Sequence, residues 1–190
     1  MTAEPIDTRA IERRAYDLLS GVPEFIWDGE TLPVPVDDIV DSVLGLRVRL
    51  VDDMSKAPGC DDLEPGAVSG LLLTGLGEIW VNRAEAEKWE GRRRFTIGHE
   101  VGHYLIHQEQ KETGPIYCRT VDISDEEEPG EGPSPKPRPE LEADAFAAAL
   151  LMPEHLIREH AAACGGDIDR MKDLFHCSHK AMKYRLFVFS

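Results

Sequence analysis

One stretch constrains this chain more than any other: Phe95-Thr-Ile-Gly-His99-Glu100-Val-Gly-His103-Tyr104-Leu-Ile-His107. Residues four apart on an α-helix lie on one face, a turn above each other, so His99 and His103 can aim ring nitrogens at a single ion. Glu100 follows the first of them and can reach a water on that ion without binding the ion itself. His-Glu-x-x-His on a helix is the pattern of two metal ligands plus a general base. Phe95, Ile97, Val101, Leu105 and Ile106 cover much of the remaining circumference, which predicts a helix held in the core with its histidines rigid. Such a helix must find a third ligand elsewhere in the chain.

With 190 residues and a 42% hydrophobic content, the chain can build a real core, and one domain over 1–190 is expected. The net charge of −15 argues against direct nucleic-acid contact, which depends on Lys and Arg, and equally against anionic membranes. No apolar run has the length of a bilayer span, and the N-terminus lacks a basic-then-apolar leader. A soluble, cytoplasmic protein is expected. Cys60, Cys118, Cys164 and Cys177 show no Cys-x-x-Cys spacing, and without a secretion signal they read as thiols. Cys118 falls between the histidine pair and a later acidic helix; approach to the metal is the less favoured reading of it.

Upstream, Ile11, Ala15, Leu18 and Leu19 recur at helical spacing until Gly21-Val-Pro23. Val36 to Leu44 reads as a short helix and Leu46 to Val51 as a half-buried strand. Ala67 to Leu73 and Glu78 to Asn82 form a hairpin about Thr74-Gly75-Leu76-Gly77. Its second strand, ending Trp80-Val81-Asn82, is an expected sheet edge to which a substrate backbone could add. Arg83 to Glu90 is helical in composition, with Gly91 as the expected break. Arg92-Arg93-Arg94 reads as a set of locally partnered charges rather than a nucleic-acid patch.

After His107 regularity is lost, and 122–139, acidic and then Pro-rich, reads as a disordered insertion. Glu140 to Pro153 is again helical. Helices over about Pro153–Ala163, Asp167–Phe175 and Ser178–Phe187 make 153–190 a helical C-terminal part. A helix-turn-helix DNA reader there is outweighed by the overall charge, so packing on the core is expected. The fold class is α+β: about three mostly antiparallel strands flanked by helices.

The helix from Glu140 supplies the missing ligand. Glu140 and Asp144 share a face, so Glu140 can bind metal while Asp144 orients a histidine through its other ring nitrogen. Glu142 lies about 200° around the helix from Glu140 and is the lesser alternative. Zinc is the expected ion. Tyr104, His107, Tyr117, His155, His176, His179 and Tyr184 are the available oxyanion donors, with His107, Tyr117 and Tyr104 put first. His107 also continues the i, i+4 series and can support His103 from behind, although a partly exposed helix end is slightly favoured.

Two blocks, Arg94 to His107 and Glu140-Leu-Glu-Ala-Asp-Ala-Phe-Ala-Ala-Ala-Leu-Leu-Met-Pro153, resemble the ImmA/IrrE metallo-endopeptidases. Ala67 to Asn82 is similar to that family's strand pair, and the likeness in layout spans roughly Val34 to Arg185. The long acidic insertion departs from it. The resemblance implies a gluzincin-like, zincin-type α+β domain and regulated proteolysis. Its members are typically bacterial or carried on mobile elements, and they cleave helix-turn-helix repressors in stress responses or element transfer. Two other classes are carried beside it: a non-catalytic, zinc-containing regulator that binds a repressor, and the toxin of a toxin–antitoxin pair.

Overall fold

The histidine-bearing stretch lies in the longest helix of a computed structural model that describes residues 6–58, 60, 68–107 and 136–189, and the backbone of 116–119. This helix, Glu90–Ile106, is α4 in chain order. Before it come α1 (Thr8–Ser20), α2 (Val36–Ser42), β1 (Arg47–Val51), β2 (Val68–Leu73), β3 (Glu78–Asn82) and α3 (Arg83–Lys88). After it come β4 (Ile116–Arg119), α5 (Arg138–Leu151), α6 (Glu154–Cys164), α7 (Ile168–Phe175) and α8 (His179–Val188). The protein is α+β, as its pattern predicts.

The sheet runs β1-β3-β2-β4. β3 pairs parallel with β1 and antiparallel with β2, and β2 pairs antiparallel with β4. Alternation along the hairpin explains why every residue of β2 and β3 is buried. Leu72, Ile79 and Val81 join the main core, whereas Leu71, Leu73 and Trp80 face a smaller cluster with Met54, Ala57 and Cys60. Asn82 ends β3 and caps α3 by accepting from the backbone N–H of Glu85.

Three expectations are corrected. β3 lies between β1 and β2, so it is not an edge; among the described residues the edges of this sheet are β1 and β4. One segment read as irregular, after His107, contains strand β4. Gly91 does not break the helix: the boundary falls at Trp89, and α4 runs through the glycine. A Cβ at Gly91 would lie 3.2 Å from Cys177 Cα and from the His176 carbonyl, so this glycine serves the seating of the α7–α8 turn. The acidic and Pro-rich stretch lies outside the described residues except for 136–139.

The arginine triplet is locally partnered. Arg92 pairs with Glu85, Arg93 with Asp37, and Arg94 donates to the Val34 carbonyl. The C-terminal helices pack on the main core through Leu156, Ile157, Met171, Phe175 and Met182. No helix among the described residues is long and apolar enough to cross a membrane.

Candidate metal centre

α4 and α5 meet along a seam of small residues. A Cβ at Gly98 would stand 3.3 Å from Ala147 Cα, and one at Gly102 would stand 3.0 Å from Ala143 Cα. The helices are therefore closer than side chains on both would permit. This approach brings the first turn of α5 to the histidine face of α4. His99 Nε2 is 3.0 Å from His103 Nε2. Glu140 Oε2 is 3.3 Å from the first of these nitrogens, and Glu140 Oε1 is 3.3 Å from the second. His99 and His103 are 2% and 1% exposed.

Two neutral imidazoles and a carboxylate, with donor atoms all within 4.8 Å of one another, can hold a metal ion. Donors about 2.0–2.1 Å from a tetrahedral zinc would be roughly 3.3 Å apart, which matches the separations found. The donor set fits.

Behind each histidine a chain of hydrogen bonds fixes its orientation. His99 Nδ1 lies 2.8 Å from Asp144 Oδ1, and the other oxygen of Asp144 receives Lys136 Nζ at 2.5 Å. His103 Nδ1 lies 3.1 Å from His107 Nδ1, and His107 Nε2 lies 2.9 Å from Glu142 Oε2. Arg138 donates to the second oxygen of Glu142 at 2.8 Å. With the Nε2 lone pairs of His99 and His103 turned to an ion, both Nδ1 atoms carry protons. His103 then donates to His107 Nδ1, and His107 donates from Nε2 to Glu142.

The charges follow this wiring. Burial lowers the pKa of His103 and keeps its imidazole neutral. Burial works against ionising Glu140, Glu142 and Asp144, but their hydrogen bonds outweigh it and hold all three below the ordinary carboxylate range. The partners are His103 and His99 for Glu140, Arg138 and His107 for Glu142, and His99 and Lys136 for Asp144. Glu100 is the exception. It is fully buried, neither carboxylate oxygen has a hydrogen-bond partner among the described residues, and burial pushes its pKa up to about 8. Glu140 pushes the same way, while His99 opposes.

The structure thus brings together His99, Glu100, His103, Glu140 and Asp144. Glu142 reaches His107 rather than the ring nitrogens that face Glu140. His107 is partly exposed at the end of α4, while its side chain is 8% exposed and engaged behind His103. Tyr104 packs half-buried against the core. Tyr117 and Cys118 have a described backbone, in β4, but their side chains lie outside the described residues. His155, His176 and His179 contact Gly29, Glu90 and Asp169 instead, and Tyr184 is exposed. Lys136 and Arg138 escaped sequence reasoning because they sit in the stretch read as insertion. The i, i+4 spacing of Arg138 and Glu142 was a usable signal; nothing local marks Lys136.

A buried His-Glu-x-x-His helix, with a glutamate from a second helix closing the donor set, defines a metal-dependent hydrolase of the metallopeptidase class. The family model described as the IrrE N-terminal-like domain, Peptidase_M78, matches residues 63–187, more than half of the chain, and the chain belongs to that family. No curated protein matches the chain.

Proposed function

We propose that this protein is a cytoplasmic, zinc-dependent endopeptidase that cleaves a helix-turn-helix transcriptional repressor, in bacterial stress response or mobile-element control. The observation that carries the peptidase reading is the triangle of His99, His103 and Glu140 donors beside the carboxylate of Glu100, which is unpartnered among the described residues. A purely structural metal site has no use for a buried base beside it. The repressor as substrate is supported by family membership and by the resemblance of the two motif blocks. The charge of −15 supports a protein substrate rather than nucleic acid.

In this reading His99, His103 and Glu140 hold zinc, which when bound lowers the pKa of a water and polarises the scissile carbonyl. Glu100 takes the proton from the attacking water and passes it to the leaving amine. Burial alone raises the Glu100 pKa, and a dication at the neighbouring donors acts in the opposite direction, favouring the carboxylate that a base requires. Asp144, backed by Lys136, keeps the His99 ring turned and its Nδ1 protonated. His107 and Glu142 do the same for His103. The engagement of both ring nitrogens of His107 favours a supporting role behind His103 over oxyanion donation, for which Tyr104 and Tyr117 are the other candidates.

Glu100→Gln tests the reading. Metal analysis is expected to show one zinc retained. Incubation with a candidate helix-turn-helix repressor is expected to show cleavage by the wild type and at least a hundredfold slower cleavage by the variant, as for loss of a general base. Unchanged cleavage would remove Glu100 from the chemistry.

A further inference from the structure

Glu100 has one more neighbour, and it comes from the sheet. β2 runs past α4, and its register against β4 shifts between Val68 and Gly70, a bulge that places one extra residue on β2. Ser69 hydrogen-bonds Glu85 at 2.8 Å and also receives Arg92, which anchors the bulge to α3 and α4. Gly70 then lies against two α4 residues one turn apart, Thr96 and Glu100. A Cβ built on Gly70 would stand 2.5 Å from Thr96 Cγ2 and 2.8 Å from Glu100 Oε1. Both are below any ordinary contact distance. Thr96 and Glu100 are buried, at 5% and 0% exposed.

The bulge also has a chemical consequence. The Glu100 carboxylate has no hydrogen-bond donor to fix it among the described residues. Its Oε1 faces the bare backbone of β2 at Gly70, where no Cβ intrudes. A base held by packing is sensitive to the shape of its slot, and displacement by about 1 Å can cost a catalytic group some hundredfold.

We propose that Gly70 is a positioning residue for Glu100: its missing side chain makes the slot that aims the carboxylate at the water it deprotonates. The proposal rests on the reading of Glu100 as the base. Any side chain at position 70 must displace Thr96 or Glu100, and displacement of Glu100 leaves the donor triangle of His99, His103 and Glu140 in place.

Acetohydroxamate provides a probe that needs no known substrate, since it chelates a bound metal and presents its protons to a neighbouring base. The variants are Gly70→Ala, Thr96→Ser, Gly70→Ala with Thr96→Ser, and Glu100→Gln. Each is loaded with zinc, assayed for metal affinity by chelator competition and for acetohydroxamate binding by calorimetry. Thr96→Ser removes the methyl group at 2.5 Å, so the double variant keeps the fold should Gly70→Ala alone fail, while the conflict with Glu100 persists. The expected result is wild-type zinc affinity in all variants and wild-type acetohydroxamate binding in Thr96→Ser. Binding should weaken about tenfold in Glu100→Gln and in the double variant, as for a lost charge-assisted hydrogen bond. Wild-type acetohydroxamate binding in the double variant, alongside weakened binding in Glu100→Gln, would overturn the proposal and leave Glu100 as the base. Parallel loss of zinc in the double variant would also overturn it, since Gly70 would then serve the metal donors. Unweakened binding in Glu100→Gln would instead remove the base reading, and the proposal with it.

Discussion

Cys177 lies in the turn between α7 and α8, half-buried and close to Arg94 and Lys172. Burial pushes its thiol from 9.0 up to about 12, although both cations pull the other way. The native protein therefore keeps this proton where the unfolded chain loses it. Stability is unaffected below about pH 9 and falls as pH rises from about 9 to 12, because the unfolded state binds fewer protons there. Urea unfolding across that range is expected to show a downward slope that Cys177→Ala reduces. Mass spectrometry after iodoacetamide treatment at pH 8 should find Cys177 unmodified in the native protein and modified in urea. Cys60, Cys164 and Cys177 are all thiols rather than disulfides, in keeping with their scattered positions in the sequence.

At the scale of elements, the seam between α4 and α5 decides whether there is a site at all. His99 and His103 share a face through helical geometry alone, but Glu140 reaches them only if the two helices lie close. A methyl group at Gly102 would meet the Ala143 backbone, 3.0 Å from Cα and 3.1 Å from the carbonyl oxygen, and backbone cannot rotate away. Gly102→Ala is expected to destabilise the protein by about 1–3 kcal/mol through overpacking. It should also weaken zinc binding, because any shift of α5 moves Glu140 from the histidines. Chelator competition on the folded variant checks this: unchanged zinc affinity would mean that the site tolerates a wider seam. The hydrogen-bond chains behind His99 and His103 share this dependence, since Asp144, Glu142 and Arg138 all ride on α5.

Across the whole molecule, Arg185 ties together the two ends of the chain. It is 3% exposed on α8, donates to the Met152 carbonyl at the end of α5 at 2.8 Å, and forms a two-pronged ion pair with Glu12 on α1. The guanidinium thus satisfies the carbonyl that follows α5 and neutralises a carboxylate from the N-terminal helix. Arg185→Leu leaves Met152 and Glu12 without this partner. Because Glu12 is partly exposed, the cost should fall at about 2–3 kcal/mol, below that of a fully buried broken pair. Chemical denaturation of the metal-free protein measures it; a loss below about 0.5 kcal/mol would show that water replaces the arginine at both partners.

Much was legible locally. The His99, Glu100 and His103 face, the hairpin about Thr74 to Gly77, and the presence of α1, α2 and α5 to α8 follow from helix and strand periodicity and from turn and cap residues. These are interactions between residues a few positions apart. The helical phase of Glu140 and Asp144 against Glu142 was local information too. The tertiary structure decided matters that depend on contacts distant in sequence. It put β3 inside the sheet by pairing it with β1, and it carried α4 through Gly91 because the α7–α8 turn packs there. It also turned His107 inward to bridge His103 and Glu142. The sequence by itself determined which groups this protein has for binding an ion and moving a proton. Only the packing of α5 and β2 against α4 decided where those groups meet, because a site divided between distant segments has no geometry until the core that joins them has formed.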